Sequence, residues 1–348
     1  MDRADEIPPA SANPSLPNLE SRGAVRIGIV AGPTGAGKTA LAIEVAERLG
    51  AEIVNADSRQ LYRGMDLGTA KPTAQDRLRV PHHLLDIRDP DAPIDVAEYA
   101  ALARAAITRI AARGRPALIV GGSGLYLRAL RDGIFAGPSA SPEYRAELVA
   151  IASAHGAPYL HRRLAQVDAA AAARIGPEDL PRIVRALEVH ALSGIPISEH
   201  QRRHREAGDV EKRTGAGGYE NLAIGLAVAR ERLYARIDRR FDAMVAGGLI
   251  EEVRGLLAAG YGAASVTMQT IGYREIAQYL SGKLTLVAAL DAAKRESRRL
   301  AKRQMTWFRR EPGMIWLEPD DGVAEAVRLF EEFFRSPVAA TNEMPGDA

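Results

Sequence analysis

Hydrophobic residues first gather at VRIGIVAG (25–32), one strand's length of nearly unbroken apolar sequence. A strand that is apolar on both faces must be covered on both faces. The period then changes. In KTALAIEVAERLG (38–50), Leu41, Val45 and Leu49 recur at helical spacing, and Gly50 stands where a helix can end in a left-handed residue. EIVNAD (52–57) predicts a second short strand, VAEYAALARAAITRIAARG (96–114) a helix closed by glycine, and PALIVGG (116–122) a third buried strand. Strands alternating with helices give a parallel sheet joined by crossovers.

From about 131 to 205 the alternation stops, and SPEYRAELVAIASA and PRIVRALEVHALSG carry only helical spacing. Strand and helix signals return in NLAIGLAVA (221–229), RERLYARIDRRFDAMVAGG, LIEEVRGLLAAG, a long helix over 286–308, MIWL (314–317) and GVAEAVRLFEEFFR. The pattern predicts an α/β protein: a parallel sheet core flanked by helices over 23–130 and 206–335, with a mostly helical insertion at 131–205. GDVEKRTGAGGY (208–219) reads as a flexible connection. The Pro-rich leader (1–22) and the tail (336–348) lack periodicity and are expected to be disordered.

Composition narrows the classes. No apolar run approaches the roughly 20 residues that cross a bilayer, so no membrane partner is expected. The acidic, Pro-rich start is unlike a secretory signal. With no cysteine, disulfides, thiolate zinc sites and cysteine nucleophiles are excluded, and a cytoplasmic setting fits. Only six of the 46 basic residues are Lys, and two of them, Lys38 and Lys71, fall inside motifs. Base composition accounts for the general Arg bias; the two retained Lys suit positions that want a compact ammonium.

GPTGAGKT (32–39) satisfies G-x-x-x-x-G-K-[ST] between a predicted strand and a predicted helix, the context of a P-loop. The expected phosphate or diphosphate cradle is Gly32, Pro33, Thr34, Gly35, Ala36, Gly37, Lys38 and Thr39. Its glycines turn backbone N–H groups toward an anion, and the helix N-terminus adds its dipole. Lys38 supplies a point charge, and the Thr39 hydroxyl is the candidate Mg²⁺ ligand. A Walker-type ATPase ends a later strand in Asp. Here that strand, ALIVGGSGLY, ends in Gly-Gly-Ser. NADSRQLY sets Asp57 just past the second strand, at the carboxyl edge where such sheets bind ligands. Asp57 can accept a proton from a nucleophile or cap the next turn.

With DSRQLY, DLGTAKP (66–72), PHHLLD (81–86), VGGSGLY (120–126), RIVRALEV (182–189), RERLYARID (230–238), QTIGYREI (269–276) and AKRQMTWFR (301–309) in this order, the chain resembles the tRNA dimethylallyltransferase family over about 25–310. The P-loop is common, whereas DSRQ, GTAKP, PHHLLD and KRQ-TWFR together are specific. The resemblance implies a P-loop that holds dimethylallyl diphosphate, and transfer of the dimethylallyl group to N6 of the adenosine on the 3′ side of the anticodon. The tRNAs would be those reading codons that begin with U. It implies Asp57 as general base and Arg230 as a diphosphate ligand beside Lys38 and Thr39. It further implies tRNA contacts at Asp57, Ser58, Arg59, Gln60, Ser123, Arg145, Arg182, Arg185, Gln269, Gly272, Tyr273 and Arg274. Mg²⁺, the anticodon stem-loop and one tRNA per monomer complete the expectation. Pro181 departs from the family's usual Gln, Gly35 from Ala and Ser123 from Thr; only the first loses a contact group.

Two histidine pairs and one basic helix have blander readings. His82 and His83 are adjacent and diverge too far to chelate one ion easily; they suit hydrogen bonding. His200 and His204 stand at i, i+4, but Arg202, Arg203 and Arg205 beside them favour a basic surface over zinc. KRESRRLAKRQMTWFRR (294–310) holds eight Lys or Arg around a stripe from Leu290, Ala293, Leu300, Ala301, Trp307 and Phe308. That is either a solvated face or a footprint for a phosphate backbone. Two other activities fit the P-loop alone: a small-molecule or nucleoside kinase, and a non-catalytic RNA-binding protein.

Overall fold

The computed structural model describes residues 25–336 except 134, 136, 215–218, 264, 320 and 321, and describes 208–214 by backbone alone. The chain runs β1 (Arg26–Ala31), α1 (Lys38–Leu49), β2 (Glu52–Asn55), α2 (Ala74–Arg79), β3 (His82–His83), α3 (Val96–Ala112), β4 (Ala117–Gly121) and α4 (Gly124–Asp132). Five helices follow: α5 (Pro142–His155), α6 (Ala157–Val167), α7 (Ala169–Ala172), α8 (Leu180–Ser193) and α9 (Ile197–Thr214). Then come β5 (Glu220–Leu226), α10 (Arg230–Ala246), α11 (Leu249–Ala258), α12 (Tyr273–Leu280), α13 (Leu286–Phe308), β6 (Met314–Leu317) and α14 (Gly322–Arg335).

The described strands form one parallel sheet in the order β3-β2-β4-β1-β5-β6. The phosphate-loop strand β1 lies inside it, between β4 and β5. Its unbroken apolar run divides by the two-residue pleat: Ile27, Ile29 and Ala31 enter one core cluster, and Val30 the other. Each fully buried Ile is worth about 1.5–3 kcal/mol, so both faces hold the strand in place. Gly28 leaves the room that Phe330 of α14 fills: an added Cβ would lie 2.8 Å from its ring.

The helices α5 to α9 carry a separate core of Leu148, Leu160, Leu164, Ile183, Leu187 and Ile197. The flexible connection expected over 208–219 is corrected in its first half, where α9 continues to Thr214. Glu, Lys and Arg are good helix formers, and one internal glycine costs only about 1 kcal/mol. Residues 215–218, the leader (1–22) and the tail beyond Ser336 lie outside the described residues.

Periodicity gave no sign of α2, β3 or α12. β3 has two half-buried histidines, too few to show a period. α2 is set by its cap: Thr73 accepts from the Asp76 N–H while the Asp76 side chain accepts from the Thr73 N–H. Among the described residues no helix is long and apolar enough to cross a membrane.

Candidate active site

The P-loop wraps the carboxyl end of β1. Gly32, Gly35 and Gly37 have φ of 141°, 82° and 100°, backbone that side chains disfavour. A Cβ at Gly35 would also lie 2.8 Å from Ile237 of α10. Lys38 opens α1 and donates to the Pro33 carbonyl at 2.9 Å. Burial lowers its pKa to about 8, against the opposing pull of Asp57. Thr34 is held from two sides. Its N–H donates to Gln304 Oε1 at 2.8 Å, and its hydroxyl accepts from Arg240 Nη2 at 2.5 Å. The Ala36 N–H turns back to the Pro33 carbonyl at 3.2 Å.

Asp57 follows β2, and Asn55 fixes its backbone. Asn55 Oδ1 accepts from the Asp57 N–H and Asn55 Nδ2 donates to the Asp57 carbonyl, each at 3.1 Å. One carboxylate oxygen caps the next turn by accepting from the Arg59 N–H at 2.9 Å. Ser58 donates its N–H to Ser123 Oγ at 3.0 Å, so the end of β4 is tied to the segment carrying Asp57. Gly121 allows this approach, because an added Cβ would overlap the Ala56 backbone.

An open cleft brings Thr34, Lys38, Thr39, Asp57, Gln60 and Arg240 together. Ala42, Ile53, Ala70, Pro72, Leu85 and Val120 supply an apolar wall. No group of three or more His, Cys, Asp or Glu that could hold a metal occurs among the described residues. The oxygen donors the cleft does offer, the Thr39 hydroxyl and the Asp57 carboxylate, are of the kind Mg²⁺ takes together with waters and phosphate oxygens.

Arg230 is corrected. It is the exposed first residue of α10, its guanidinium 5.2 Å from the Tyr234 ring centroid, and it does not line the cavity. Arg240, almost three helical turns further along α10, is the arginine that reaches the P-loop. Burial depresses its pKa, while the Asp57 charge pulls the other way. The inward stripe of α10 is Leu233, Ile237, Phe241 and Met244. Both arginines fall close to its phase, Arg240 three residues after Ile237 and Arg230 three before Leu233, so spacing alone does not choose between them. Gln304 and Asn55 were also missed: they stand inside KRQ-TWFR and NADSRQLY, but each acts by bracing backbone, a role the motifs do not disclose.

Several of the expected RNA contacts have internal partners. Arg145 and Arg185 both pair with the fully buried Glu188, at 2.8 and 2.6 Å, and remain partly exposed beyond it. Arg182 is largely exposed and reaches Asp179 at 3.3 Å. Gln60 Nε2 donates to the Thr69 and Ala70 carbonyls, bracing the GTAKP loop. Arg59 is half-buried beside Asp57, and Gln269 and Arg274 reach solvent. Gly272 and Tyr273 are corrected as surface contacts. Gly272 is buried against Phe241. Tyr273 has 0% exposure, and its hydroxyl donates to Glu252 at 2.5 Å.

The histidines lead apart. His82 Nδ1 meets the Val80 carbonyl and His83 Nε2 meets Glu52 Oε2, at 2.7 and 2.6 Å. His200 contacts Ser193 Oγ, and His204 the Asp132 carbonyl. Arg202 and Arg203 pair with Glu199, so the basic surface expected there is partly neutralised. On α13, Lys294, Arg298 and Arg299 are bound to Asp242, Asp238 and Glu296. Lys302 and Arg303 are exposed, without ion pairs among the described residues. Trp307 is half-buried, with the Arg128 guanidinium 4.4 Å above its ring.

A glycine-rich loop at the carboxyl edge of a parallel sheet, with Lys38, Arg240 and Asp57 lining one cavity beside it, defines an α/β protein with a P-loop sequence. A family model described as IPP transferase matches residues 60–311. A tRNA dimethylallyltransferase of Geobacter metallireducens is 51% identical over 293 residues, which is 84% of this chain and 92% of that one. The corresponding protein of Anaeromyxobacter dehalogenans is 50% identical over 85% of this chain and 95% of its own. The crystal structure of a tRNA isopentenylpyrophosphate transferase from Bacillus halodurans superimposes with a TM-score of 0.64 at 39% identity, covering 88% of this chain and 95% of that one. A eukaryotic dimethylallyltransferase captured acting on tRNA shares the fold, with a TM-score of 0.71 at 23% identity over 91% of this chain and 81% of its own. The chain belongs to the IPP transferase family.

Proposed function

We propose that the protein transfers the dimethylallyl group of dimethylallyl diphosphate to N6 of the adenosine beside the anticodon of tRNA, releasing diphosphate. The observation that carries this is the shared cavity of Lys38, Thr39, Asp57 and Arg240. P-loop N–H groups, Lys38 and Arg240 hold the diphosphate, and the apolar wall takes the prenyl tail. The adenosine leaves the loop's stack, at a cost of a few kcal/mol. Its N6 attacks the allylic C1 as the C1–O bond breaks, and Asp57 receives the proton. Cations placed where charge develops on the leaving group supply the main stabilisation. Mg²⁺ held through Thr39 would add charge neutralisation to those oxygens. The helices α5 to α9 serve as the arm against the stem-loop, and the enzyme works as a cytoplasmic monomer. Family membership favours this reading over the kinase. Calorimetric titration separates the two: dimethylallyl diphosphate binds in a Lys38-dependent manner, whereas tighter binding and turnover of ATP would favour a kinase.

The Lys38 pKa gives this binding a pH dependence. Free protein carries Lys38 near 8, and a bound diphosphate raises that value by favouring the charged form. Affinity is therefore full below about pH 8 and falls as pH rises through it, by at most about tenfold per unit. A flat profile from pH 7 to 9 would remove Lys38 from the diphosphate site.

Lys302 and Arg303 are two of the exposed α13 cations that form no ion pair among the described residues and can meet a phosphate backbone. Neutralising both should reduce the salt slope of stem-loop binding by up to about one unit per lost contact. An unchanged slope would make this a solvated face.

A further inference from the structure

Amides of a P-loop ordinarily point inward as anion donors. That of Thr34 points away, and its partner belongs to another element. Gln304, on α13, accepts from the Thr34 N–H at 2.8 Å and donates from Nε2 to the Gly122 carbonyl at 2.9 Å. Both ends of one side-chain amide are thus used, one on the phosphate loop and one on the turn after β4. Gly122 leaves the space: an added Cβ would sit 2.5 Å from Gln304 Nε2. The neighbouring Ser123 holds the Ser58 N–H, one residue from Asp57. On the other side, the hydroxyl of the same Thr34 is the contact through which Arg240 meets the loop. Gln304 therefore stands between the cationic half of the site and the carboxylate half, and the residues before it on the helix are the exposed Lys302 and Arg303.

We propose that Gln304 is a positioning residue, which sets the phosphate loop and the turn after β4 in register from α13. Its polar ends are committed inward, so it is not a reader of RNA bases. This role rests on the diphosphate reading of the P-loop, and the test separates the two.

Inorganic pyrophosphate is titrated calorimetrically into the full-length protein, and anticodon stem-loop affinity is measured in parallel. Gln304→Met keeps length and helix preference while deleting both hydrogen bonds. It should weaken pyrophosphate binding by about 5–10-fold, the worth of a lost hydrogen bond, and leave stem-loop affinity within about twofold. Gly122→Ala keeps the glutamine but displaces its amide, should act in the same direction, and carries the test if Gln304→Met folds poorly. Wild-type pyrophosphate affinity in both variants would overturn the role, as would an equal loss of stem-loop affinity. Failure of the wild type to bind pyrophosphate through Lys38 would overturn the diphosphate reading itself, and this role with it.

Discussion

Asp57→Asn slows prenyl transfer in single turnover by about 10²–10⁴-fold, the usual cost of removing a positioned base. Asparagine preserves shape, and its side-chain oxygen can still accept from the Arg59 N–H that now meets Asp57 Oδ1 at 2.9 Å. The turn after β2 should therefore survive, and what is lost is basicity. Dimethylallyl diphosphate affinity stays within a small factor of wild type, because the P-loop amides, Lys38 and Arg240 are untouched. Thermal melting should move little, since Asn55 fixes the Asp57 backbone without help from the carboxylate. Near-wild-type turnover by Asp57→Asn at saturating substrates would pass the proton to water or to a diphosphate oxygen.

The second large effect concerns a pair of arginines on one helix. Arg240→Ala should lower kcat/KM by about 10²–10³-fold, as for loss of one preorganised donor to a developing anion. It also frees the Thr34 hydroxyl that Arg240 holds at 2.5 Å. Arg230→Ala should change the rate by no more than about twofold, like most surface substitutions. The reverse ranking would mean that α10 turns its N-terminus toward the diphosphate, against the geometry found. Arg240→Lys restores charge without the fork, and partial recovery would show that charge and hydrogen-bond geometry both contribute.

These arginines also mark the limit of what the sequence discloses. β1, α1, β2 and β4 are legible because buried strands and amphipathic helices write their period into the chain, and the P-loop because only glycine tolerates its dihedral angles. Asp57 is legible from its place at the end of a strand. Arg230 and Arg240 lie in one Arg-rich helix, and choosing between them needs the helix phase relative to Gly35, which packing sets. Tyr273 sits in a motif and looks like a contact residue, yet it packs beneath Gly68 and bonds Glu252. Gln304 and Asn55 work on backbone atoms far away in sequence or two residues along. No residue pattern encodes that.

The most direct test of the central claim is chemical. Purified protein, dimethylallyl diphosphate, Mg²⁺ and an anticodon stem-loop with adenosine on the 3′ side of the anticodon are incubated together. The RNA is then digested, and its nucleosides are resolved by mass spectrometry. The account predicts one new nucleoside, adenosine carrying a dimethylallyl group on N6, formed at that position and lost when Lys38 is replaced by Ala. An unmodified adenosine, with ATP in place of dimethylallyl diphosphate yielding a phosphorylated product, would contradict it.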